Sequence, residues 1–226
     1  MDELADLMIV SQVELVKGGV GGTDGADGDN QDTVTDNPLK IVESGWSADQ
    51  QGYVHYAFAL RNTSKTQQVQ YPQITITGRA KDGSIVFSQT QALNMAFPNQ
   101  TVYDAGQAGE GTAPETVDFT VLNPDTYNVA KAQGTAAFPI SGISKIDNRD
   151  GGTTFNGEVR AVADGFKPSD GQQIKISLVL RNAQNAIIYG DIAFVDWPGN
   201  GRSTPFSITV YDLPKYVSYD LYAQIW

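Results

Sequence analysis

Val54-His55-Tyr56-Ala57-Phe58-Ala59-Leu60-Arg61-Asn62 alternates large apolar residues with smaller or polar ones. In an extended strand successive side chains point to opposite faces, so a period of two lays one strongly apolar face along it. Val54, Tyr56, Phe58 and Leu60 make that face, and Tyr53, His55, Ala57 and Ala59 occupy the other. Working outward, Ile74 and Ile76 repeat the pattern, and Lys81-Asp82-Gly83-Ser84 carries a hairpin turn signal. Ile85-Val86-Phe87 opens the returning strand. Further strands are expected over 116–122, 129–138 and 206–210, and residues 103–115 read as an exposed loop.

The Leu60-Arg61-Asn62 ending recurs as Leu180-Arg181-Asn182, 120 residues on from Arg61 to Arg181. At that shift Gly45-Trp46 meets Gly165-Phe166, and Val54 and Tyr56 meet Ile174 and Ile176. From there Ile74 and Ile76 meet Ile192 and Phe194, and Gly83 meets Gly201, 118 residues on. The chain therefore reads as an internal repeat of one supersecondary unit. The first copy holds more residues between its glycine turn and its last strands, so the second is expected to lack a strand or hairpin.

Short strands separated by turns, in a unit of roughly 100 residues, predict an antiparallel β-sandwich. The expected fold is all-β: two tandem immunoglobulin-like sandwiches, over 38–141 and 155–226, joined by a linker at 142–154. Residues 1–37 read as a leader. It has an apolar stretch at Leu7-Met8-Ile9-Val10, then a Gly- and Asp-rich tract with too little apolar surface to offset the entropy of ordering.

Composition narrows the function. Of the 226 residues 40% are apolar, enough for a core. The net charge of −11 repels phosphate backbones and anionic headgroups, which argues against nucleic acid as a partner. The absence of cysteine excludes disulfides, thiolate zinc sites and cysteine nucleophiles. No stretch reaches the ~20 apolar residues of a membrane-spanning helix. Met1-Asp2-Glu3-Leu4 is acidic where a secretory signal would be basic.

The Leu-Arg-Asn strand end, the strand after it and the Lys-Asp-Gly-Ser turn resemble the FxLYD group of bacterial immunoglobulin-like domains, over about half of each copy. The Tyr-Asp pair of that group is not matched cleanly, since Val210-Tyr211-Asp212 lies near the C-terminus. The resemblance implies an exported or cell-surface accessory module without chemistry of its own; a cytoplasmic location is the alternative.

Candidate sites follow from residue type and spacing. His55 is the only histidine, so any triad or general base would have to use it. Calcium is the one cofactor for which side chains offer hard oxygen ligands, at Asp147, Asn148 and Asp150 or at Asp24, Asp27, Asp29 and Asp32, and neither set fits an EF-hand. Lys40 and Asn128 sit near the first and last strands, where a lysine–asparagine crosslink would need them. Trp197, Tyr216, Tyr222 and Trp226 are candidates for a ligand that stacks on aromatic rings, with interdomain packing as the competing reading. The expectation is a non-catalytic module for a protein or glycan partner; the alternative is a carbohydrate-binding module working through those aromatics.

Overall fold

A computed structural model describes residues 37–226. The leader, its apolar stretch and the aspartates 24, 27, 29 and 32 lie outside the described residues. The chain is all-β, with no α-helix among the described residues. Twelve principal strands fall into two halves. The first holds β1 (Leu39–Ala48), β2 (Val54–Asn62), β3 (Gln73–Arg79), β4 (Ile85–Ala92), β5 (Thr101–Ala108) and β6 (Thr116–Val121). The second holds β7 (Ile140–Asp147), β8 (Thr153–Arg160), β9 (Gln173–Arg181), β10 (Ile187–Asp196), β11 (Ser203–Val210) and β12 (Ser218–Ile225). Their sheets run β1-β2-β5 and β4-β3-β6, then β7-β8-β11 and β10-β9-β12, and every pairing in them is antiparallel.

Each half thus places its first, second and fifth strands in one sheet and its fourth, third and sixth in the other. The repeat is present, but at a different register from the expected one. β2 ends in Leu60-Arg61-Asn62 and is the second strand of its half; β9 ends in Leu180-Arg181-Asn182 and is the third of its own. The counterpart of β9 is β3. Arg79 pairs with Ile85 across a bulge, and Arg181 pairs with Ile187 across a bulge. Arg79 also bonds Asp118 on β6, and Arg181 bonds Asp220 on β12. Both steps, from Arg79 to Arg181 and from Asp118 to Asp220, are 102 residues. Ile74 and Ile76 therefore answer to Ile176 and Leu178, and the shifts of 120 and 118 are set aside.

The misleading likeness has a physical cause. β2 and β9 are both central strands covered on both faces, which imposes the same apolar pattern on each. Both also stop at an asparagine that closes a turn. Asn62 Oδ1 accepts from the Ser64 N–H, and Asn182 Oδ1 accepts from the N–H groups of Gln184 and Ala186.

The Lys81–Ser84 turn forms as expected: Gly83 takes φ +83°, and Asp82 Oδ1 accepts from the Ser84 N–H. Two segments differ from expectation. Residues 103–108 belong to strand β5 rather than to a loop, which runs only from Gly109 to Glu115. Residues 142–154 are not a linker; they are most of β7, its turn and the start of β8. The chain crosses between halves over 122–139, through short strands at Val129–Lys131 and Thr135–Ala137. The first pairs with Gln67–Gln70, which also pairs with Met95–Ala96, a small sheet added to the first half. Thr135–Ala137 pairs with Val162–Asp164.

Each half has its own core. Tyr56, Phe58, Leu60, Ile74, Ile76, Phe87 and Val117 fill the first. Phe155, Val159, Ile174, Ile176, Leu178, Leu180, Phe206 and Ile208 fill the second, joined by Met95 and Phe97 from the first half. A third, smaller cluster of Ala57, Ala105, Val179 and Ile187 lies between the halves, where sheet β1-β2-β5 meets sheet β10-β9-β12 face to face.

Candidate functional site

The seam between those two sheets gathers the chemistry of the molecule. Alternation along β2 points Val54, Tyr56, Phe58 and Leu60 into the first core, which turns His55, Ala57 and Ala59 to the second half. Small residues bring the sheets close. A Cβ on Gly45 would stand 1.8 Å from the carbonyl oxygen of Ile187, and one on Gly190 would stand 2.3 Å from that of Tyr56. Neither position tolerates a side chain without moving backbone.

Polar groups flank this dry centre. Arg181 Nη1 and Nη2 donate to the two oxygens of Glu43, at 2.8 and 3.0 Å, and Nε donates to Asp220 at 2.8 Å. Such a fork on a carboxylate is the strong, directional form of ion pair. The hydrogen bond from Arg181 holds the Glu43 carboxyl below the usual carboxylate range, and Glu43 in turn raises Arg181. Tyr103 donates its hydroxyl to Glu43 and stacks on Tyr222, with ring centroids 3.7 Å apart and planes 6° from parallel. Burial pushes the Tyr103 hydroxyl up.

On the far side of the stacked rings, Lys175 Nζ and Gln224 Nε2 both donate to Asp104 Oδ1, at 2.6 and 2.7 Å. Lys175 lies 4.6 Å from the Trp226 ring centroid. Burial raises Asp104 despite the pull of Lys175. Sequence reasoning missed Glu43, Tyr103, Asp104, Lys175, Arg181 and Gln224 as a group. Their one sequence signal was charged or polar residues inside apolar alternation, at Lys175 and Arg181.

His55 stacks on Tyr189 at 4.7 Å and sits 3.4 Å from Asp49 Oδ2. With Ser47, Gln51, Tyr211 and Pro214 these residues line an open cleft of about 180 Å³ where the two halves meet. His55 thus faces the other half.

The four candidate aromatics do not form one platform. Tyr222 is taken up by the stack on Tyr103. Trp197 packs on the second core, edge-on to Phe138 at 5.7 Å. Tyr216 precedes β12 and packs on the same core, with Lys145 Nζ 5.5 Å from its ring. Trp226 stays half-buried, 5.5 Å from the exposed ring of Phe194. Tyr219, Leu221, Ala223 and Ile225 share one face of β12, and all four meet the second core.

The calcium candidates shape a hairpin. Asp147 accepts from Thr153 Oγ1 and pairs with Lys145; Asn148 Nδ2 donates to Thr154; Asp150 accepts from the Gly152 N–H and from the Tyr211 hydroxyl. Among the described residues no three His, Cys, Asp or Glu side chains gather to hold a metal ion. Lys40 is exposed and opposite Arg61, and Asn128 lies in a single 3₁₀ turn. Among the described residues no helix is long and apolar enough to cross a membrane.

No protein-family model matches the chain, and no curated protein does. Among solved structures, the Amycolatopsis orientalis exo-chitosanase CsxA is similar at 12% identity over 78% of this chain, with a TM-score of 0.22. The chain spans 24% of that enzyme's length, and a likeness at this score bears on neither family nor function.

Proposed function

We propose that the chain is a non-catalytic interaction or display module of the bacterial exterior, built from two immunoglobulin-like sandwiches held as one body. The observation that carries this is the seam. Its buried charges are spent on each other across the two halves, and its glycines bring the two sheets into direct contact at the centre of the seam. The product is a fixed relative geometry, which is what a module needs in order to present loops and edges to a partner. The strand order within each half supports the immunoglobulin-like reading, because first-second-fifth against fourth-third-sixth is a two-sheet Greek-key arrangement.

Export is supported by the resemblance to bacterial surface modules and by the Gly- and Asp-rich tract at 18–37, a composition suited to holding the sandwiches away from an anchor. Fractionation of the native host tests the localisation: recovery from the surface or the medium is expected, and recovery from the cytosol alone overturns it.

A second reading, sugar binding, rests on Phe194 beside Trp226 at the open end of the seam. Glycan arrays with the native chain and Trp226→Ala test it; binding that survives the substitution removes this pair from the site.

A further inference from the structure

One buried amine, one buried carboxyl and one buried primary amide meet at the seam and take no part in presenting a partner surface. Lys175, Asp104 and Gln224 are 2%, 0% and 2% exposed. Lys175 on β9 and Gln224 on β12 are direct partners in register. Their side chains leave the same face of the sheet from Cβ atoms about 5 Å apart. Asp104 comes from β5 in the other half, and its Oδ1 accepts from both nitrogens. Asp104 Oδ2 and Gln224 Oε1 are buried with no hydrogen-bond partner. Two orphaned oxygens beside an amine are costly to keep in a dry site, so the arrangement calls for an explanation.

We propose that this triad is a self-modification site at which Lys175 Nζ attacks Cδ of Gln224, joining β9 to β12 through an amide bond and expelling ammonia. The Nζ–Cδ bond forms and the Cδ–Nε2 bond breaks. Asp104 takes a proton from the Lys175 ammonium and so frees the amine to attack. It passes one proton to the departing nitrogen and receives another from Nζ; the ammonia leaves as ammonium, and the carboxylate ends as it began. Nothing is oxidised or reduced, and no co-reactant is needed.

Three features favour the reaction here. Burial raises Asp104, which equips it to accept the proton that Lys175 must give up before its amine can attack. The orphaned Oε1 and Oδ2 are the atoms a shuttling proton would bridge. The register already holds amine and amide side by side, so little orientational freedom is left to lose. The acid arrives only when the first half docks, so the bond is confined to the folded chain. The repeat lacks the set elsewhere: at the 102-residue spacing Lys175, Gln224 and Asp104 answer to Gln73, Leu122 and Phe206.

Intact-mass measurement of the purified full chain, held folded until its mass is constant, tests the proposal. The expected result is a chain lighter by one ammonia, whose digest contains a single branched peptide joining Lys175 to Gln224. Lys175→Arg and Asp104→Asn should both restore the unmodified mass. Asn156-Gly157 and Asn200-Gly201 can each lose the same ammonia by closing a succinimide, so the branched peptide is decisive. An unmodified mass for the native chain, or a loss that maps to Asn156 or Asn200, overturns the proposal. So does a branched peptide formed as fast in Asp104→Asn as in the native chain.

Discussion

The outward faces of sheets β1-β2-β5 and β7-β8-β11 are counterparts in the repeat, and they have opposite fates. On the first, Gly45, Ala57, Ala59 and Ala105 are small and covered. On the second, Thr154, Asn156, Glu158, Ser207 and Thr209 are polar and meet solvent to varying degrees. The partner faces differ in the same way. β3 presents Thr75, Thr77 and Arg79 where β9 presents Ser177, Val179 and Arg181. The outward faces of the first half's β1-β2-β5 and the second half's β10-β9-β12 are thus made to be buried against each other, and the remaining two to stay wet. Association therefore closes after one interface instead of running on from chain to chain as a head-to-tail contact would.

Measured against the chain that has not yet formed the Lys175–Gln224 bond, the largest break in this asymmetry should come from Lys175→Met. It leaves Asp104 buried without its counter-charge, and removing one member of a buried pair costs about 3–5 kcal/mol. Denaturant unfolding should show that loss. Adding Asp104→Leu should recover most of it, because a hydrophobic pair of similar volume can match a buried ion pair. A double variant as unstable as the single would mean that the pair's charge is not what matters at the seam.

Gly190→Val comes next. Overpacking costs about 1–3 kcal/mol, and here the clash is with the backbone of Tyr56 in the opposite half. The halves should separate while each keeps its core, so a single unfolding transition should become two and the radius of gyration should rise. Gly83→Ala, in the exposed turn, strains φ but meets nothing within 4 Å, and should leave the single transition intact.

What was legible in the sequence follows from what each residue's environment imposes. Period-two alternation showed β3, β6 and β11, because a strand with one buried face must alternate, and β2, because its second covered face carries Ala57 and Ala59 opposite large residues. It could not show that β2 and β9 hold different places, since cover on both faces erases that distinction. The bulged Arg79 and Arg181 with Asp118 and Asp220 were the better markers of the repeat. Their meaning depends on pairing between strands distant in sequence. β5 read as a loop because Ala105, Gly106 and Ala108 are small and Asp104 is charged, the composition that close sheet approach and a cross-seam ion pair require. The Tyr222 stack was foreseen only as one alternative, because the ring that covers it, Tyr103, lies 119 positions earlier in the chain, in that same strand.

The repeat also supplies an internal control for charge. Arg181→Ala removes a guanidinium whose side chain is 6% exposed and bonded to two carboxylates, and should cost about 1.5–3 kcal/mol. Arg79→Ala removes its counterpart, 40% exposed, from a single carboxylate, and should cost under about 1 kcal/mol. Equal costs would show that the seam adds nothing to the arginine–aspartate pair the two halves share.

The smallest effect is the most discriminating, because the first half brings to the seam two carboxyls shifted in opposite directions. Glu43 is held below its ordinary value of 4.5, so its share of stability is complete above that value and drains away as pH falls through the lowered one. Asp104 is raised above its ordinary 3.8, so the folded chain gains stability as pH falls through the raised value, and the gain is complete below 3.8. The two carboxyls therefore partly cancel in acid. Glu43→Gln should flatten the acid limb of stability against pH, and Asp104→Asn should steepen it, both read from denaturant midpoints taken from neutral pH downward. If both substitutions moved the limb the same way, the carboxyls would not be working against each other, and the buried Asp104 would be an ordinary ion-pair partner like Glu43.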